Sequence, residues 1–183
     1  MAFFPIFIAL DDCLVVGGGK VAHRKAAQLV EFGATVTVVA RELSDEMKAL
    51  SEANTSVRIL QKSFEDSDVA GMSLVVAATD DTACNRAVYN AAHMRLIPVN
   101  VVDVPELCDF YFPAIVRRGE LVVAVGTSGK SPAFARSVKQ KIDEVLPPDA
   151  GERLEKAACI REALLKAGQS PAHDATYNEA VTL

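Results

Sequence analysis

Three consecutive glycines, Gly17-Gly18-Gly19, stand between an apolar run and an amphipathic one. That placement constrains the chain more than any other feature. Cys13-Leu-Val-Val reads as a short buried strand. Val21 to Phe32 reads as a helix, with Val21, Ala22, Ala26, Leu29 and Val30 on its apolar positions and Gly33 closing it. The string Gly17-Gly18-Gly19-Lys20-Val21-Ala22 therefore fits G-x-G-x-x-G/A inside a strand–turn–helix unit, the context in which that motif binds a dinucleotide. Gly17 permits the tight turn, Gly19 lets the backbone approach a pyrophosphate, and Ala22 allows close helix–strand packing. The helix N-terminal amides and the macrodipole then hold the phosphates. A glycine-rich turn that binds nothing is the alternative, and the strand–turn–helix context weighs against it.

The pattern repeats along the chain. Thr35-Val-Thr-Val-Val-Ala40 is a second strand, rich in β-branched residues. Ser44 caps a helix through about Ala53, with Asp45 and Glu46 in its first turn. Val57 to Leu60 and Ser73 to Ala78 are further strands, the latter feeding Thr79-Asp80-Asp81 and a helix to about Met94. Ile97 to Val102 is a fifth strand, ending at Asp103. Strands alternating with helices predict a parallel, doubly wound sheet with right-handed crossovers. After Pro105 the alternation breaks. Phe110 to Arg117 and Leu121 to Gly126 face each other across Arg118-Gly119-Glu120 as a hairpin. Ser131-Pro132 then opens a helix striped by Phe134, Ala135, Val138, Ile142 and Val145, which Pro147-Pro148 stops. Such a hairpin and helix are too small to bury a core alone. Glu152 to Ala167 is a further amphipathic helix, and Gln169 to Leu183 reads as loosely ordered.

Composition narrows the class. Half of the 183 residues are hydrophobic and the mean hydropathy is +0.20, which suits a parallel sheet covered on both faces. No apolar run reaches about 18 residues, so no membrane span is expected. The apolar start, Met1 to Leu10, lacks a basic leader and an A-x-A site and is closed by Asp11-Asp12. It reads as a buried lead-in strand rather than a signal peptide. The four cysteines, Cys13, Cys84, Cys108 and Cys159, form no CxxC pair. No zinc site, redox pair or disulfide framework is expected, but buried reduced thiols in a cytoplasmic protein. A net charge of −5 argues against nucleic acid as a partner. Yet Phe112 to Ile142 holds Arg117, Arg118, Lys130, Arg136, Lys139 and Lys141 against Glu120 alone, a net +5 in an acidic chain. That segment is either a solvated face or an attractor for an anionic ligand.

Three positions carry the candidate chemistry. At the end of the second strand, where ribose is discriminated, stand Arg41 and Glu42. Glu42 accepting from ribose hydroxyls favours NAD; Arg41 pairing with a 2′-phosphate favours NADP. Thr79-Asp80-Asp81 lies at the carboxyl edge of the sheet, where Thr79 or Asp80 serves equally as a helix cap. Asp103 ends the fifth strand at the same edge. A carboxylate there, walled by apolar groups, is suited to proton transfer, and it is equally a turn aspartate before Pro105.

Five strings in order resemble one family. Val15-Val-Gly-Gly-Gly-Lys-Val-Ala-His-Arg-Lys-Ala26, Ala77-Ala-Thr-Asp-Asp81, Val99-Asn-Val-Val-Asp103, Phe112-Pro-Ala-Ile-Val116 and Thr127-Ser-Gly-Lys-Ser-Pro-Ala-Phe-Ala-Arg136 are similar to the precorrin-2 dehydrogenases, the dehydrogenase module of siroheme synthases. The resemblance runs from about Phe4 to Pro147 and fades beyond Pro148. It implies an α/β fold, a Rossmann-like doubly wound parallel sheet followed by a small α+β dimerisation domain and a short helical tail. The implied domains are 1–111, binding NAD, 112–147, dimerising and binding substrate, and a helical segment 148–183. The implied activity is NAD-dependent oxidation of precorrin-2 to sirohydrochlorin, with ferrous or cobaltous ion as a further substrate where the same site also chelates. The family's essential aspartate falls on Asp103, and its cofactor contacts on Gly17, Gly19, Lys20, Val21, Arg41, Glu42 and Thr79. Precorrin-2 carries eight carboxylates, which gives the basic segment an anionic partner, with charge-assisted hydrogen bonds as the warrant. Ser128, Gly129 and Lys130 are the candidate substrate contacts, and a homodimer is expected. No resident metal is expected: His173 reads as a surface residue, and His23 and His93 as structural or exposed. A non-catalytic module that senses NAD or a tetrapyrrole, and a chelatase without redox chemistry, are the competing readings; the glycine turn argues against the second.

Overall fold

The computed structural model describes residues 5–182. The chain divides into two compact units, 1–111 and 112–183. The first is built around β1 (Asp12–Val16), α1 (Lys20–Glu31), β2 (Thr35–Ala40), α2 (Asp45–Ala53), β3 (Val57–Gln61), β4 (Leu74–Ala77), α3 (Thr82–His93) and β5 (Val99–Val101). The five strands form one parallel sheet in the order β3-β2-β1-β4-β5. The chain works outward from β1 to β3 and then returns to β4 on the other side of β1. The carboxyl ends of β1 and β4 therefore flank the point where winding reverses, the place at which open α/β sheets bind ligands.

The apolar runs form strands because both faces of the sheet are covered. Cys13 to Val16 and Leu74 to Ala77 are buried throughout, as continuous runs must be in a two-sided parallel sheet. Leu14, Val16, Val39, Val75, Ala77, Val88, Val99 and Val101 belong to one buried cluster. α3 contributes Val88, Ala91 and Ala92 to it, and α1 turns Ala22, Ala26 and Leu29 inward. The connection from β3 to β4 contains one short 3-10 turn, Asp66–Val69, anchored by the fully buried Val69.

Two sequence expectations are overturned in this unit. The lead-in strand is absent: residues 5–10 form no regular structure, and Ile6 and Phe7 are 67% and 79% exposed; Met1 to Phe4 lie outside the described residues. β1 has β2 on one side and β4 on the other, and residues 5–10 add to neither edge strand, β3 nor β5. The cap of α3 is neither Thr79 nor Asp80 but Asp81, whose carboxylate accepts from the N–H groups of Ala83 (2.9 Å) and Cys84 (3.1 Å).

The second unit contains β6 (Ala114–Arg118) and β7 (Leu121–Val125), paired antiparallel, then α4 (Pro132–Val145), α5 (Ala150–Lys166) and α6 (Ala175–Val181). Arg118 pairs with Leu121, so the hairpin loop is Gly119-Glu120, with Gly119 at φ +60°. A Cβ on Gly151 would overlap the carbonyl of Arg118, which lets α5 start hard against the hairpin. Ser131 caps α4 through Phe134 N–H (3.1 Å), as the sequence predicts. Of the expected α4 stripe, Ala135 is buried, while Phe134 and Val145 stay 64% and 79% exposed. The expectation of a loose tail fails: Asp174 accepts from Tyr177 N–H (2.8 Å) and nucleates α6. The expectation of uniformly buried thiols holds only for Cys13 and Cys108; Cys84 is half-buried and Cys159 exposed, and all four are free. No helix among the described residues is long and apolar enough to cross a membrane.

Candidate dinucleotide site

The cleft at the carboxyl edge of β1, β2 and β4 is built on the glycine turn. Gly17 leaves β1 at φ +126° while its N–H donates to Val39 O (2.9 Å). A Cβ at Gly17 would overlap the backbone of Ala78, and one at Gly18 the carbonyl of Glu42. The two glycines are thus demanded by neighbouring loops. Gly19 differs, because nothing lies within 4 Å of where its Cβ would stand. It begins α1 at φ −81°, with no side-chain cap and no acidic residue in the first turn. Open space against uncapped helix amides is what a phosphate requires. These residues fit the pyrophosphate of a dinucleotide.

Lys20, Val21, Arg41, Glu42 and Thr79 line the same cleft, which holds about 1210 Å³. Arg41 and Glu42 are both exposed where β2 ends. Their loop is tied down by Ser44 N–H to Gly18 O (2.8 Å) and by Gln61 Nε2 to Arg41 O (3.1 Å). Lys62, Ser63 and Phe64, just past β3, complete that wall. Lys62 is committed to Asp68 (2.8 Å) and Glu65 (3.0 Å), which hold its ammonium above the usual lysine range. That leaves Arg41 as the guanidinium of this wall.

Thr79 is positioned by a residue the sequence reading missed. Asn85, on the buried face of α3, donates from Nδ2 to Thr79 O (2.8 Å) and accepts from Thr79 Oγ1 (2.7 Å) and Thr79 N–H (3.2 Å). A polar residue on the apolar stripe of a helix, in line with Val88 and Ala92, was the available signal. Gly18 is the other omission; its constraint comes from a loop 24 residues downstream, which no local pattern displays.

Asp103 lies two residues past β5, at the same edge of the sheet but not among the residues lining the cleft. It occupies the third position of a four-residue turn closed by Val104 N–H to Val101 O (3.2 Å), at φ +60°. That conformation favours glycine or asparagine, so an aspartate there carries some strain. The side chain is exposed rather than walled in by apolar groups as expected. Lys25, half-buried on α1, interacts electrostatically with it: burial pushes the ammonium below its ordinary range, Arg24 pushes the same way, and Asp103 pulls it back up.

Ser128, Gly129 and Lys130 belong to the second unit. They are exposed in the turn between β7 and α4, with Ser128 and Gly129 at φ +51° and +76°. Two of the six cations of the basic segment have local partners: Arg117 bonds Gly119 O and Glu120, and Arg118 bonds Asp143 (2.9 Å), one residue beyond the segment's boundary. Among the described residues, Lys130, Arg136, Lys139 and Lys141 form no ion pair. Nor is any group of three or more His, Cys, Asp or Glu placed to hold a metal.

A family model described as "Putative NAD(P)-binding" matches residues 6–114, more than half of the chain. The chain belongs to this family. Residues 6–114 hold the whole glycine turn and Asp103. Beyond the family, the chain is 44% identical over 173 residues to the siroheme synthase of Methylococcus capsulatus and 47% identical over 166 residues to that of Methylobacillus flagellatus. It is covered for 93% and 90% of its length, but spans only 36% and 35% of those proteins. A solved structure of SirC, a precorrin-2 dehydrogenase, superposes with a TM-score of 0.75 at 25% identity, covering 99% of this chain and 94% of that one. The Rossmann-like architecture, with its appended hairpin and helices, is shared along the whole chain.

Proposed function

We propose that the chain oxidises precorrin-2 to sirohydrochlorin with NAD. The observation that carries the reading is Asp103, a carboxylate held in a left-handed turn at the sheet edge that also bears the dinucleotide cleft. The likeness to siroheme synthases over nearly the whole chain, and to SirC in fold, supports it.

When bound, NAD supplies a two-electron acceptor for hydride. Gly17 and Gly19 admit its pyrophosphate to the N-terminus of α1, with Lys20 and Val21 beside it. Glu42 would accept from the adenosine ribose hydroxyls, with Arg41 on the same wall of the cleft. Thr79, braced by Asn85, fixes the loop after β4. The oxidation removes a hydride and a proton from the reduced macrocycle, and Asp103 accepts the proton. Ser128, Gly129, Lys130 and the cations Arg136, Lys139 and Lys141 bind the substrate's carboxylates. Domain roles follow: 1–111 for the cofactor, 112–147 for substrate and dimerisation, and 148–183 as helical support. Dimerisation is supported by Phe134 and Val145, apolar and outward on α4. Free cysteines suit a reducing, cytoplasmic setting. Ferrous or cobaltous ion is taken as a second substrate, inserted after oxidation.

Anaerobic incubation with precorrin-2 and either NAD or NADP tests the reading. NADH formation, faster than NADPH formation, followed by metal insertion into the product, is expected. A protein that binds NAD and precorrin-2 but forms no reduced cofactor would instead be a sensor.

A further inference from the structure

The turn presenting Asp103 is spanned from its buried side by one thiol. Cys108, 4% exposed, lies with Sγ 3.1 Å from Val101 O and 3.3 Å from Val104 O. Those are the carbonyls before and after Asp103 that bound the turn. Each already accepts a backbone N–H, from Val104 and Leu107 respectively. The thiol is therefore not satisfying orphaned groups; its single proton is shared between the two ends of one turn. Asn100, 6% exposed, donates from Nδ2 to Cys108 Sγ (3.3 Å) and to Phe110 O (2.8 Å). Asn100 and Cys108 also form an isolated antiparallel bridge, while Asp109 exchanges two bonds with Val99. The segment after Asp103 is thus folded back along β5 and locked there. Burial pushes the thiol above its ordinary range, so it keeps the proton it donates.

We propose that Cys108, held by Asn100, is a positioning residue for Asp103, fixing the left-handed turn from which the carboxylate meets the substrate. The proposal rests on the reading of Asp103 as proton acceptor. A core position of this size accepts alanine or valine if only volume matters; a positioning role demands a donor. A strained turn released from one of its ties relaxes toward ordinary backbone and withdraws the carboxylate.

The test compares Cys108→Ala, Cys108→Val and Cys108→Ser with Asp103→Asn in the full chain, measuring kcat and KM with precorrin-2 anaerobically, NAD affinity by titration, and thermal melting. Cys108→Ala leaves a small void that Cys108→Val fills, so agreement between them separates a lost donor from lost volume, and Cys108→Val carries the test if Cys108→Ala does not fold. The expectation is that both lower kcat about tenfold with NAD affinity unchanged, and that Cys108→Ser recovers most of the loss. Wild-type kcat in Cys108→Val, or equal losses in Cys108→Ser and Cys108→Val, overturns the positioning role while Asp103→Asn remains inactive. Wild-type turnover in Asp103→Asn sinks the proton-acceptor reading and this proposal with it.

Discussion

At the scale of single residues, the three glycines separate into two kinds of demand. Gly18 is required by the fold, because the carbonyl of Glu42 occupies the space of a side chain; Gly19 has open space and an ordinary φ. Gly18→Ala is expected to lower stability by about 1–3 kcal/mol, the range for forcing a methyl into filled space. Gly19→Ala should leave the melting temperature unchanged and weaken NAD binding at least about tenfold, since its methyl would stand where the phosphates approach. A melt and an NAD titration on both variants check the pair. At Asp103, φ +60° makes Asp103→Asn a clean probe, because asparagine tolerates that conformation. The variant should melt like the wild type. Gly17, Gly19 and Asp103 were legible in the sequence because strand, turn and helix signals surround them. Gly18 and Asn85 were not, since each answers to a partner that only the folded chain brings near.

At the scale of elements, capping decides where helices begin and how firmly the loops of the cleft are held. Asp81 accepts two bonds at the start of α3, directly after the Thr79 loop. Asp81→Ala should cost about 1 kcal/mol of stability, seen as a lower denaturation midpoint, with a smaller effect on NAD binding. Sequence placed the cap in the right tripeptide but not on the right residue, because three consecutive cap-forming side chains compete and backbone geometry alone selects among them. The strands of the parallel sheet were legible to within two residues at each end, since its central strands are buried on both faces, whereas β6 begins at Ala114, four residues after the expected Phe110. The segment before β1 misled: Ile6, Phe7 and Ile8 are as apolar as a strand, yet no strand edge receives them. α6 was missed because a short helix depends on its cap, Asp174, more than on periodicity.

At the scale of the whole molecule, the basic segment 112–142 of the second unit holds four cations, Lys130, Arg136, Lys139 and Lys141, that form no ion pair among the described residues. If Lys130, Arg136, Lys139 and Lys141 receive a carboxylate-rich substrate, KM for precorrin-2 should rise steeply between low and physiological salt while NAD affinity changes little. Replacing any two of them with glutamine should raise KM about tenfold and leave kcat near wild type. In the proposed reaction, the chemistry turns on one carboxylate, Asp103. The most direct measurement is a single-turnover anaerobic reaction of wild type and Asp103→Asn, each saturated with NAD and given precorrin-2 below the enzyme concentration. The wild type should form one NADH per precorrin-2, and Asp103→Asn, with equal NAD affinity, at least about a hundredfold more slowly. Equal rates, or no NADH from the wild type, would contradict the oxidation mechanism drawn from this structure.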